Sequence, residues 1–342
     1  MIFEGKNVAI TGGAGSLGRI LTKRIMTGKL GKPRKVIIFS RDEAKHHQMK
    51  IDWKKINYAT DDIFYHNFEE ILDFRIGDVR NYESVIDLVK DSNIIIHAAA
   101  LKQVPVCEYF PSESIKTNIL GAQNIVMAVK NFGRNVESVI AISTDKACKP
   151  INTYGMCKAI HERVILAANL SCKNTKFMCV RYGNVIASTG SVIPLFKQQL
   201  ENGGPITITT KDMTRFLLNL DQAVDVIFEA LINGNPGETY VPIISSAKIM
   251  DLAELMIGDK DIKIEYIGVR PGEKTHEILI SEEETTRTIK RNGYYVICSV
   301  LPEIQQNKIE KSALDKEYSS AEGVVTKKQL ENILREQGHL EF

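Results

Sequence analysis

The sequence is short of the residues that would make it a metal, disulfide or membrane protein. Its six cysteines (Cys107, Cys148, Cys157, Cys172, Cys179 and Cys298) include no Cys-x-x-Cys pair among 342 residues. They are too sparse for a disulfide scaffold and read as small hydrophobes. The seven histidines show no ligand spacing, and the adjacent His46 and His47 read as solvated members of a polar run. Neither charge predominates: 44 basic and 42 acidic residues leave a net +2, so nothing favours bulk electrostatic binding to nucleic acid or a membrane surface. The longest apolar stretches, such as NIIIHAAAL at 93–101, fall far below the roughly 20 residues that span a bilayer. MIFEGKNVAIT runs directly into a strand without the segments of a secretory signal. A cytoplasmic protein is the expectation.

What is there is alternation. NVAIT (7–11), KVIIFS (35–40), DFRIGDV (73–79), NIIIHAAA (93–100), VESVIAIST (136–144) and KFMCVRYGNV (176–185) are β-branched runs separated by segments of helical period. Apolar strands alternating with amphipathic helices predict a parallel sheet covered on both faces, a doubly wound α/β fold of Rossmann type. After about residue 180 the pattern loosens. The expected division is a dinucleotide-binding domain over 1–180, rejoined by 216–245, and a smaller mixed α/β lobe over 181–215 and 246–342. A last helix is expected from about Thr326, with Leu330, Ile333 and Leu334 on one face and Gly338 as its stop.

VAITGGAGSLGRIL places Gly12, Gly15 and Gly18 between the first strand and a helix. Glycines there let backbone approach a pyrophosphate, and the helix N-terminus favours its charge. A tight turn alone would not require three glycines at this spacing. The second strand ends in Ser40 and Arg41, where an NAD site normally has a carboxylate for the ribose 2′-hydroxyl. A hydroxyl and a guanidinium suit a 2′-phosphate, so NADP is expected before NAD. Asp42 comes late and is free to pair with a basic neighbour. Asp78 suits either the adenine amino group or a helix N-cap.

STDKACKPINTYGMCK (143–158) begins where an open parallel sheet ends, the usual place for its ligand crevice. Tyr154 and Lys158 are four apart on one helix face. An ammonium beside a phenol favours its ionised form, and a phenolate removes a hydroxyl proton. Thr144 is placed to bond the same hydroxyl. Asp145 and Lys146 go beyond what alcohol oxidation needs. Unless they are merely solvated loop charges, they imply a second proton transfer, with Lys146 as a base whose pKa is lowered and Asp145 as an acid.

Together these residues resemble the extended short-chain dehydrogenase/reductase superfamily. FSRDE, GDVR, HAAALKQVP, KTNILGAQN, STDKACKPINTYGMCK, VRYGNVIASTGSVIPLF, MTRF and GVRPGEKTHE, with KEYSS at 316–320, are similar in order to the UDP-N-acetylglucosamine 4,6-dehydratases. Without membrane segments the chain resembles their soluble branch, which inverts C5. It shares the tyrosine of the pseudaminic-acid pathway enzymes, where other relatives have Met. The resemblance implies a tightly held, recycled NADP on Gly12, Gly15, Ser16, Leu17, Gly18, Ser40, Arg41, Asp78, Val79, Ala98, Ala99, Asn118, Tyr154 and Lys158. It implies catalysis by Thr144, Asp145, Lys146, Tyr154 and Lys158, and UDP-N-acetylglucosamine bound by Lys102, Asn184, Arg215, Arg270 and Glu273, with no metal. The implied product is a 4-keto-6-deoxy sugar of L-arabino configuration, and the implied assembly is a homo-oligomer, dimer to hexamer. A UDP-sugar 4-epimerase or 4-ketoreductase would leave Asp145 and Lys146 without a task, and a non-catalytic NADP-binding protein usually loses the Tyr/Lys pair. Cys148 and Lys149 depart from the family pattern and leave the local loop open.

Overall fold

The computed structural model describes residues 1–59, 68–185, 192–305 and 311–340. Residues 186–191 of VRYGNVIASTGSVIPLF therefore lie outside the described residues. The β-branched runs become β1 (Asn7–Thr11), β2 (Lys35–Ser40), β3 (Leu72–Ile76), β4 (Ile94–His97), β5 (Ser138–Thr144) and β6 (Lys176–Tyr182). Later come the short strands β7 (Ile206–Ile208), β8 (Thr214–Phe216), β9 (Thr239–Pro242), β10 (Ser246–Lys248), β11 (Ile264–Tyr266), β12 (Ile278–Ile280), β13 (Thr288–Arg291), β14 (Tyr294–Ile297) and β15 (Tyr318–Ser319). Nine strands form one sheet in the order β13-β14-β9-β6-β5-β4-β1-β2-β3. It is parallel from β3 to β9, and β14 and β13 close the far edge antiparallel.

Two apolar cores explain why the strands are hydrophobic throughout. Val8, Ile10, Ile38 and Ile96 face one way, onto Leu21, Ile25, Val224 and Phe228. Ala9, Ile37, Ile95 and Val139 face the other, onto Val85, Leu88, Ile125 and Ile165. Strands buried on both faces lose the polar alternation of a half-exposed sheet. Helix 220–233 packs under β6 and against the first helix. Residues 288–297 behave differently from their expected place in the second lobe: β13 and β14 extend the sheet beside β9. Their register pairs Val296 with Tyr240 and buries both, and a short hairpin carries no long-range sign of which edge it will join.

A separate apolar cluster brings Ile193, Phe196, Ile206 and Leu252 together with Leu330 and Leu334. The last helix runs Lys327–Glu336, capped by Thr326, whose hydroxyl accepts from Gln329 N–H. Leu330 and Leu334 are buried and Ile333 is half-buried, and each full leucine burial stabilises by about 1.5–3 kcal/mol. Gly338 takes a positive φ of 69° just past the helix.

Candidate active site

The chain leaves β3 and crosses to β4 on the far side of β1, so the sheet's order reverses between β1 and β4. Open α/β sheets bind ligands at that crevice. Gly12 lies there with φ +69°, and a Cβ on it would come within 3.0 Å of the Ala99 backbone. Gly15 is the N-cap of helix Ser16–Met26, which has no side-chain cap and no acid in its first turn. The first-turn N–H groups of Ser16, Leu17 and Gly18 are thus left for an anion. The residues fit a dinucleotide: the helix start is uncapped by any side chain where a pyrophosphate would lie, and its first turn holds no acid.

The second-strand residues are engaged. Ser40 Oγ and His46 Nε2 are 2.7 Å apart. His46, expected to be solvated, is buried on the edge of the Phe74 ring, and that burial lowers its pKa. Arg41 keeps half its side chain exposed and lies 3.7 Å from Asp78. Asp42 pairs with Lys45 at 2.8 Å. Asp78 is not a helix cap: it accepts from Arg80 N–H and Nε, while Asn81 caps the helix that follows. Val79 is buried, and its carbonyl accepts from Asn124. Ala98 N–H reaches the Thr11 carbonyl, and Ala99 N–H the Thr11 hydroxyl at 3.2 Å. Asn118 is fully buried rather than solvent-facing. Its side chain clamps Leu101 by N–H and C=O, both at 2.9 Å, and its own carbonyl faces His161 Nδ1 at 2.8 Å. It braces the loop that carries Ala98, Ala99 and Lys102.

β5 ends at Thr144, and Asp145–Ala147 form one tight helical turn. Asn152 caps the next helix by accepting from Gly155 N–H and donates to the Gly272 carbonyl at 2.7 Å. One side chain thereby ties the Tyr154 helix to the turn bearing Arg270 and Glu273. Gly155 has a steric reason: a Cβ there would lie 2.2 Å from the Lys146 carbonyl. Only glycine lets the helix lie this close to the Asp145–Lys146 turn.

Thr144 Oγ1 donates to Asp145 Oδ1 at 2.8 Å. Lys146 Nζ donates to the same oxygen at 3.0 Å and to Asn184 Oδ1 at 3.0 Å. Tyr154 and Lys158 are buried on one helix face. Burial pushes the Tyr154 phenol up to about 12, against the opposing pull of Lys146 and a hydrogen bond with Thr144. Burial pulls Lys158 down to about 8. The expectation of a lowered Lys146 is overturned. Burial would lower it, but Asp145 and Glu277 outweigh that and raise it above the ordinary lysine value. Sequence reasoning stopped at Glu273 and missed Glu277, whose Oε1 is 3.3 Å from Lys146 Nζ. It is the last residue of GVRPGEKTHE, and its position in that stretch was the only signal.

The substrate candidates separate. Asn184 touches Lys146, and Glu273 accepts from Thr209 at 3.2 Å and pairs with Arg215 at 3.3 Å. Arg215 donates to the carbonyls of Thr214, Thr275 and Lys274, so it braces the 273–277 turn. Lys102 and Arg270 are exposed. The departing pair is accounted for: Lys149, at φ +43°, bonds Glu317 of KEYSS at 2.6 Å, and the buried Cys148 offers its carbonyl to Lys274. Among the described residues no three His, Cys, Asp or Glu side chains converge as a metal site.

Residues 8–299 match the family described as polysaccharide biosynthesis protein. The chain is 41% identical over 308 residues to a UDP-N-acetylglucosamine 4,6-dehydratase (inverting) of Campylobacter jejuni, covering 89% of this chain and 86% of the relative. It is also 41% identical over 302 residues to a UDP-glucose 4-epimerase of Rickettsia typhi, covering 86% and 84%. Among solved structures, Pen from Bacillus thuringiensis superposes with a TM-score of 0.88 at 33% identity over all of both chains. The dTDP-glucose 4,6-dehydratase DesIV from Streptomyces venezuelae has a TM-score of 0.65 at 19% identity over 79% and 86%, a likeness of fold. The chain belongs to the polysaccharide biosynthesis protein family, built on the extended short-chain dehydrogenase/reductase fold.

Proposed function

We propose that this chain is a UDP-N-acetylglucosamine 4,6-dehydratase that inverts C5, working in the cytoplasm on a sugar nucleotide for a bacterial-type surface glycan or nonulosonic acid. One observation carries the reading: the hydroxyl–phenol–amine set of an alcohol dehydrogenase lies against a bonded acid–amine pair, Asp145 and Lys146. The first set serves C4, and the pair serves C5 and C6. The Campylobacter relative's activity supports the same assignment.

A bound nicotinamide dinucleotide would supply the hydride acceptor at C4 and the donor at C6. The protein's part is proton traffic. Tyr154 rests as a buried neutral phenol and must be ionised before it takes the C4 hydroxyl proton, with Lys158 beside it on the helix and Thr144 bonded to it. The resulting ketone acidifies the C5 proton. Lys146 rests as an ammonium and cannot take that proton until it passes one of its own to Asp145, 3.0 Å away. That transfer prepares the base and the acid together. The amine takes the C5 proton, and the Asp145 carboxylic acid protonates the departing C6 hydroxyl. Lysine and aspartate end as they began; once hydride has added at C6, C5 takes a proton exchanged with solvent and Tyr154 releases the proton it took from the C4 hydroxyl, which closes the balance. Asn184, Arg270 and Glu273 are assigned to the sugar nucleotide, since a guanidinium suits phosphate and a carboxylate suits a diol. Lys102 lines the sugar, and Arg215 braces their turn.

NADP is the proposed dinucleotide. No carboxylate ends β2, the first acid after it is tied to Lys45, and Arg41 is half exposed beside Asp78. NADP+ is expected to bind at least about tenfold tighter than NAD+, a preference that Arg41→Ala removes.

The Rickettsia relatives favour a second reading, 4-epimerisation, in which Asp145 and Lys146 are idle. A proton NMR time course in D2O with UDP-N-acetylglucosamine and catalytic NADP+ separates the two. Dehydration yields a C6 methyl signal with deuterium at C5, and couplings around C5 report inversion. A C4 isomer with intact C6, or stoichiometric NADPH release, would overturn the proposal.

A further inference from the structure

Nothing in the proposed reaction uses Glu277, yet the residue is 2% exposed and its carboxylate reaches Lys146 from outside the β5 turn. Its N–H donates to Ser320 Oγ at 2.9 Å, and its carbonyl accepts from Ser320 N–H at 2.8 Å. Ser320 Oγ in turn lies 2.8 Å from Thr214 Oγ1. The backbone of Glu277 is therefore pinned. Oε1 lies 3.3 Å from Lys146 Nζ and 3.9 Å from Arg215 Nε. Oε2 is buried and has no hydrogen-bond partner among the described residues. A carboxylate with one oxygen unsatisfied in a buried site is costly unless it is paired, and the nearest cation to this one is the Lys146 ammonium.

The Lys146 ammonium has three N–H donors and faces three oxygens: Asp145 Oδ1, Asn184 Oδ1 and Glu277 Oε1. Asp145 comes from the end of β5 and Glu277 from the second lobe. The other charged or titratable groups acting here are Arg215 on β8, Lys274 on the 273–277 turn and Tyr154 on the helix. We propose that Glu277 is a positioning residue that keeps Lys146 an aligned ammonium, so that the C5 base arises only when Lys146 hands a proton to Asp145. In that transfer an N–H bond breaks and an O–H bond forms on Asp145. When the amine then takes the C5 proton, the ammonium re-forms against Glu277, and the C5–H pair becomes the new C–C double bond as water leaves. This role rests on the proposed dehydration, but the charge state of Lys146 does not.

The test titrates Lys146 directly. Trace reductive methylation of the full chain across pH, read by mass spectrometry at Lys146, reports the amine fraction without substrate. Lys146 in the wild type is expected to resist labelling until the pH exceeds that of ordinary lysines. In Glu277→Gln its onset moves down by about 1–3 pH units, while Glu277→Asp stays near the wild type. The kcat profile with C5-deuterated substrate should shift the same way, whereas loss of packing alone would lower kcat at every pH without moving the limb. Superimposable labelling curves for folded wild type and Glu277→Gln would overturn the role. If the labelling contrast holds but the wild type forms no C6 methyl product, the dehydratase reading fails and the Glu277–Lys146 linkage stands.

Discussion

Burial moves Tyr154 and Lys158 in opposite directions, each toward its neutral form. For the lysine this fixes a sign. Its pKa falls from 10.5 to about 8 on folding, so below pH 8 the folded protein carries a buried charge that the unfolded chain holds at no penalty. The penalty is about 3 kcal/mol at 1.36 kcal/mol per pH unit, and it vanishes as pH rises from about 8 to 10.5. Lys158→Met is therefore expected to be more stable than the wild type at pH 7 in urea unfolding without dinucleotide, by up to about 3 kcal/mol. The gap should close toward pH 10.5, and the variant should lose turnover. A Met variant less stable at pH 7 would mean that Lys158 has a compensating partner in the fold. At this scale the sequence was informative about position and poor about charge. Tyr154, Lys158, Asp145 and Lys146 could be picked out by spacing, but the Lys146 shift is raised by Asp145 and by Glu277 together, and only tertiary folding brings Glu277 within reach.

Elements were legible where a local pattern decides them and blurred where a long-range contact does. The first six parallel strands begin or end within a few residues of expectation because their apolar runs are continuous. β3 stops at Ile76, ahead of a Gly77 whose N–H closes onto the Ser40 carbonyl. What no pattern revealed is the ionic joint under the active segment. Arg181 on β6 bonds Glu162 of the Tyr154 helix at 2.6 Å and Glu284 at 2.7 Å, with Ser143 of β5 donating to the same Glu162. Although Glu284 is largely buried, Arg181 holds its carboxyl down to about 2. A carboxyl lowered from 4.5 contributes stability that is complete above pH 4.5 and is lost as pH falls toward 2. Glu284→Gln is expected to lose about 3 kcal/mol at pH 7, with the difference shrinking below pH 4.5. Denaturant midpoints at pH 7, 4 and 3 measure it, and a pH-independent difference would assign the loss to packing.

For the whole molecule, the helix that turns Tyr154, Lys158, His161 and Ile165 inward also turns Met156 and Ile160 outward, about half exposed. It packs on helix Gly121–Phe132, which leaves Met127 exposed, and Leu120 just before it is exposed too. A monomer gains nothing from apolar side chains in water on the back of its catalytic helix, whereas a second copy would bury them. A homo-oligomer is accordingly expected, with this helix pair at a two-fold contact burying about 800 Å² or more per chain. Light scattering on the wild type at micromolar concentration should give at least the dimer mass. Ile160→Glu places a carboxylate on that face, repeated across the two-fold, and should release monomers while leaving the Rossmann cores folded by circular dichroism. Because the same helix seats Tyr154 and Lys158, the released monomer should also lose turnover, by about tenfold or more if the contact contributes roughly 1.4 kcal/mol to holding that helix in place. A wild type of monomer mass, or an Ile160→Glu variant of unchanged mass, would mean that these side chains serve some other contact and that the active site is complete in one chain.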